Sequence, residues 1–233
     1  MSEVDVVVPV KPRNSCTKPL VSCLMAIVAA LATWGALKAK HPFFTVPGKY
    51  NIGMGASNEA RYALLSQQAR VEQLTATVTL AMGGFLLSGV LALVANGCCS
   101  FPIRLLIALP WGAAVGAASG FIGSMAYSAI IPLDSFPNTT NTGLTHAVVF
   151  AMFGAGLGML YGGFSYNKQQ AITATVIGAS AGGLGGLLFP FVTGLALPQQ
   201  SIVGLVQTSI VGTLWLGLPF AAIGFAVPSM SNR

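Results

Sequence analysis

Residues 74–95 read LTATVTLAMGGFLLSGVLALVA, with no charged side chain from Leu74 to Ala95. At about 1.5 Å per residue a helix of this length reaches about 33 Å, enough to cross a hydrocarbon core about 30 Å thick. The run is continuously apolar and does not alternate, which excludes a β-barrel strand of about ten residues. The residues before it are different in kind. Ser57 stands where an N-cap belongs, with Glu59 in the first turn. Tyr62, Leu65, Ala69 and Glu72 then alternate with polar faces up to Gln73. One helix is therefore expected from about residue 58 through 95, close to twice the thickness of a bilayer core. Its first half should project from the membrane or lie along it. That half is the one substantial water-facing feature of the sequence and its best candidate for docking a partner.

The same reading applied outward gives five more spans, at residues 20–37, 105–131, 143–164, 171–197 and 202–227. The expected fold class is an all-α integral membrane protein, a Gly-rich bundle of six transmembrane helices. Composition agrees: 54% of the chain is hydrophobic and 7% charged, against about 25% charged in soluble domains. A soluble enzyme, a disordered chain and a disulfide-rich secreted domain are all excluded. The first span follows Lys11, Arg13 and Lys18 in a tail of residues 1–19, as a signal peptide would. Its apolar run is longer than such a peptide's and no A-x-A site follows, so it reads as an uncleaved anchor.

Orientation follows from Lys and Arg in the short connections. Arg104, Lys168 and Arg233 mark one side, while residues 132–142 and 198–201 hold no Lys or Arg. Both termini, including the tail at 228–233, are therefore expected in the cytoplasm, with the protein in a bacterial inner membrane or its equivalent. The first loop, residues 38–73, then falls outside although it carries Lys38, Lys40, Lys49, Arg61 and Arg70, which runs against the rule. Its aromatic, proline and basic residues around His41 to Tyr50 suit the headgroup region. The net charge of +6 thus bears on topology and lipid rather than on nucleic acid.

Sliding the chain by 66 positions aligns Gly112, Gly116 and Gly120 with Gly178, Gly182 and Gly186, and Gly158 with Gly224. With the third and fifth helices running the same way, this reads as a tandem parallel helical-hairpin repeat, of the kind found in transporters and in structural bundles. Gly154, Gly158 and Gly162 form a further stripe. Within lipid, helices associate by close approach and dispersion, which small-residue stripes permit. The stripes are expected to pack helices within the chain; contact with another copy or another membrane subunit is the sharper alternative. Pro110, Pro190 and Pro219 lie inside spans, and residues 182–186 with Pro190 are the expected place for an unwound segment.

Searches for chemistry end mostly in exclusions. Spans three to six hold no ionisable carboxylate or amine, which speaks against proton-coupled transport, pumping and voltage sensing. What remains for a solute route is neutral: Gln207, expected near the middle of span six beside Thr208 and Ser209, and the polar residues of span five such as Ser180 and Thr193. Ser119 and Ser180, set among small residues, resemble the nucleophiles of intramembrane serine proteases. Such a serine needs a base in reach, and both histidines, His41 and His146, are expected near the outer boundary. His146 is read as an interfacial hydrogen-bonding residue rather than a haem or chlorophyll ligand. Cys16, Cys23, Cys98 and Cys99 fall toward the cytoplasmic side as free thiols, with acylation of the Cys98-Cys99 pair as an alternative. Asn138-Thr139-Thr140 is a glycosylation sequon on an outer turn. No metal site, cofactor or phosphate-cradling motif is expected.

These features point to a non-catalytic multi-pass protein, a scaffold or accessory subunit of a membrane complex, working through Gly-mediated helix packing. Its expected partners are the lipid bilayer and other membrane subunits or further copies of itself. The alternative is a passive transporter or channel for a small neutral or lipid-like substrate, with Gln207 and Pro190 on its route.

Overall fold

The computed structural model describes residues 17–40, 42–48, 57–95, 100–130, 138–164, 167–198, 205–207 and 209–230. They form six helices: α1 (Thr17–Lys40), α2 (Asn58–Val94), α3 (Phe101–Ile130), α4 (Thr139–Gly163), α5 (Lys168–Ala196) and α6 (Val211–Ser229). All six are long and apolar enough to cross a membrane. The long reading of α2 holds: it is one helix of 37 residues, capped by Ser57, whose hydroxyl accepts from the Ala60 N–H at 3.3 Å. Two helices, α4 and α5, begin a few residues outside their apolar runs because polar side chains start them. Asn138 caps α4 by accepting from the Asn141 N–H at 2.7 Å, and Asn167 caps α5 by accepting from the Gln169 N–H at 2.9 Å. The sequon asparagine is thus a helix cap. Arg104, expected in the turn after span two, lies in the first turn of α3 and donates back to the Ala95 carbonyl at the end of α2, where a cation complements the helix dipole.

Each helix packs on the next in chain order, and α1 closes the ring against α6. The even-numbered helices lie inside: half or more of the apolar stretch of α2, α4 and α6 is buried, against 28–39% for α1, α3 and α5. The outer helices turn large apolar residues outward, among them Leu24, Val28, Leu106, Ile172 and Leu195. Where the inner helices meet, aromatic side chains fill the centre. Phe153 stacks on Phe220 with ring centroids 5.4 Å apart, and Phe150 meets Trp215 edge-on at 6.1 Å. All four rings are fully buried, and such pairs add to what burial alone contributes.

Glycines fix how closely the outer helices seat on the inner ones. A Cβ added at Gly112 would overlap the Gly84 carbonyl, one at Gly116 the Leu80 carbonyl and one at Gly120 the Ala76 carbonyl, so α2 and α3 touch backbone to backbone. The α4/α5 seam has the same construction. Gly178 meets Gly154, Gly182 meets the Phe150 carbonyl and Gly186 the His146 carbonyl, while Gly158 and Gly162 press on Ala174 and Ala171. Between α6 and α1, Gly224 lies against Ala26 and the Ser22 carbonyl. The nine glycines of the three stripes, and Gly224 with them, therefore face neighbouring helices of their own chain.

Two expectations fail near the end of the chain. The last helix starts at Val211, not near residue 202, so Gln207 lies ahead of α6 rather than in its middle. And α5 runs unbroken from Lys168 to Ala196 through residues 182–186 and Pro190, because those glycines are held against α4 and α6. The non-helical buried backbone lies instead at residues 205–207.

Candidate functional site

At the end of the bundle where α1, α3 and α5 finish, the chain enters α6 through a buried segment without helical hydrogen bonds. Leu205 is 1% exposed and Gln207 4%. Backbone N–H and C=O groups in such a place need partners; side chains of α2 and α1 bond to them, and one of α4 lies alongside. Glu72 of α2 accepts from the Leu205 N–H and also from that of Val206. His146 of α4 faces the Leu205 carbonyl through Nε2 at 3.3 Å. Trp34 of α1 donates from its indole nitrogen to the Ser209 carbonyl at 3.0 Å. Gly212 makes room for the turn, since a Cβ there would overlap the Gln207 carbonyl and the Trp34 ring.

The sequence places these residues for local reasons. Glu72 is the last charged residue before the charge-free stretch of α2, and its side chain turns to the α6 entry. His146 sits two turns into α4, fully buried, with Nδ1 2.7 Å from the Thr142 carbonyl and its ring 5.0 Å from that of Phe189. The shorter contact makes Nδ1 the donor of a neutral imidazole; Nε2 then donates to Leu205 only when the ring is protonated. Trp34 is fixed from outside by Lys38, whose ammonium lies 5.1 Å from the ring centroid. Leu205 is thus held at its N–H by the Glu72 carboxylate, while its C=O faces the His146 ring.

Of the two residues expected on a solute route, Gln207 is buried in this segment. Pro190 follows Phe189 on α5 and faces Gly143 of α4. Both lie at the same end of the bundle. Ser180 donates to the Val176 carbonyl of its own helix at 2.9 Å, and both His146 ring nitrogens face backbone carbonyls. Among the described residues no group of three His, Cys, Asp or Glu comes together as a metal site would require. His41, Cys16, Cys98, Cys99 and Asp134 lie outside the described residues. Sequence reasoning missed Glu72 as more than a helix-face residue. The signal was available, because a carboxylate two residues from the start of a charge-free span needs a partner.

Six helices of spanning length around an aromatic centre define the class as a multi-pass helical membrane bundle. Comparison with protein-family models, with curated proteins and with solved structures finds no match to this chain.

Proposed function

We propose that the protein is a non-catalytic scaffold or accessory subunit of a membrane complex. The observation that carries this reading is the filled centre of the bundle. Phe150, Phe153, Trp215 and Phe220 occupy the axis along which a solute would have to pass. The glycine stripes support it as well, in a modified sense. They are used within the chain and build a rigid platform, so a partner meets the outer apolar faces and the projecting part of α2 rather than a glycine stripe. Only the α3-to-α5 half of the expected hairpin repeat belongs to the same reading: α3 and α5 seat on α2 and α4 through glycines at matching steps, and α1 seats on α6 as a third pair. On this reading both termini lie in the cytoplasm and the Glu72 end faces outward.

The passive-transporter alternative keeps one observation in its favour. Irregular backbone within a membrane bundle is a feature of transporter sites, and residues 205–207 provide it. Gln207→Leu separates the two. A scaffold carrying the change retains its complex and shows the same liposome flux as protein-free vesicles, whereas a transporter stays assembled and loses flux that the unaltered protein supports.

A further inference from the structure

A groove of about 470 Å³ opens on the outer surface between α2 and α3, where Ser66, Arg70, Gln73, Ser124 and Ser128 set polar groups into a lining that is otherwise apolar. A second groove of about 380 Å³, lined by Ala81, Met82, Phe85, Leu86 and Ala113, is almost wholly apolar. The two belong to one seam. Gly120 opposes Ala76 and Gly116 opposes Leu80, so α2 descends from Arg70 to Phe85 as α3 descends from Ser128 to Ala113. Half-buried Thr77 and Ala117 lie between the grooves. From Gln73 to Ala81 is about 12 Å along the helix, a distance that sets a lipid phosphate beside the upper part of its acyl chain.

The chemistry of the upper groove narrows the occupant. Arg70 is its one charged lining residue and is exposed. The nearest carboxylate in sequence, Glu72, is turned away to the Leu205 and Val206 amides, so it does not neutralise the guanidinium. Gln73 adds an amide whose contact with the Phe121 carbonyl is long, at 3.5 Å. The serine hydroxyls already donate within their own helices: Ser66 to Ala63, Ser124 to Phe121 and Ser128 to Ser124. Their oxygens are left as acceptors. One guanidinium beside hydroxyl acceptors, above an apolar furrow, suits a singly anionic phosphate carrying hydroxyl donors and an acyl chain.

We propose that the α2/α3 seam seats one anionic glycerophospholipid with a hydroxyl-bearing headgroup, its phosphate on Arg70 and Gln73 and one chain along Ala81, Phe85 and Ala113. The test is native mass spectrometry of the full chain in neutral detergent, titrated with phosphatidylglycerol or with phosphatidylcholine of the same chains. The expected result is one retained phosphatidylglycerol per chain, held about fivefold more tightly than phosphatidylcholine. Arg70→Gln abolishes that preference, Arg61→Gln on the same helix preserves it, and Ala113→Phe weakens both lipids by filling the furrow. Excess inorganic phosphate leaves the lipid in place. Arg70 is exposed, so its variant folds and carries the test even if Ala113→Phe does not. A preference that survives Arg70→Gln, is lost equally in Arg61→Gln, or yields to inorganic phosphate overturns the proposal.

Discussion

Glu72 holds the amides of residues that have no helix to hold them, and the consequence can be measured. Replacing it with Leu leaves buried N–H groups orphaned, at a cost of about 1–3 kcal/mol, while Glu72→Gln keeps an acceptor in place and costs less. Thermal unfolding in neutral detergent should rank unaltered protein above Glu72→Gln and Glu72→Leu lowest. Equal midpoints for all three would show that the carboxylate does not support the segment. The glycines divide in the same way. At Gly116 and Gly182 even a methyl group meets backbone, so Ala there should destabilise by about 1–3 kcal/mol. At Gly35 and Gly217 an added Cβ meets nothing within 4 Å, and Ala should stabilise by about 0.5–1 kcal/mol through helix propensity. If the same melting experiment gave all four substitutions one sign, the seams would not be the close contacts described.

At the scale of elements, helix number and the length of α2 were legible because apolar length and a capping serine are local properties. The start of α6 was not. Residues 202–210 are apolar enough to extend the helix, and hydropathy cannot register that Glu72 and Trp34 arrive from 133 and 175 residues away to bond to another conformation. Residues 182–186 erred in the opposite direction. Their glycines suggest unwinding when α5 is read alone, yet α4 and α6 press on them from both sides and hold the helix together. The entry segment is therefore expected to depend on Trp34. Trp34→Phe removes the indole bond to Ser209 while keeping the ring, and should raise amide exchange at residues 205–212 while α4 and α5 stay protected. Exchange that rises evenly through the bundle, or not at all, would remove Trp34 from that role.

For the whole molecule, the offset of 66 positions could relate α3 to α5, but the partner relation was hidden. Gly84 and Gly154, which receive Gly112 and Gly178, stand 70 positions apart, so no single register aligns both helices of the hairpin. The candidate site was legible only in pieces. Gln207 and Pro190 could be named as polar or kinked residues, but the end-on meeting of α1, α2, α4 and the α6 entry is a property of the closed ring. That closure leaves an aromatic centre and an apolar outer surface, the properties on which a platform role rests. The most direct measurement is the intact mass of the native complex after gentle solubilisation from its own membrane, with every co-purifying chain identified. The expected result is a stoichiometric assembly with another membrane protein or with further copies, lost when the projecting part of α2 is altered at exposed Tyr62. A lone monomer that conducts a solute in liposomes would contradict it.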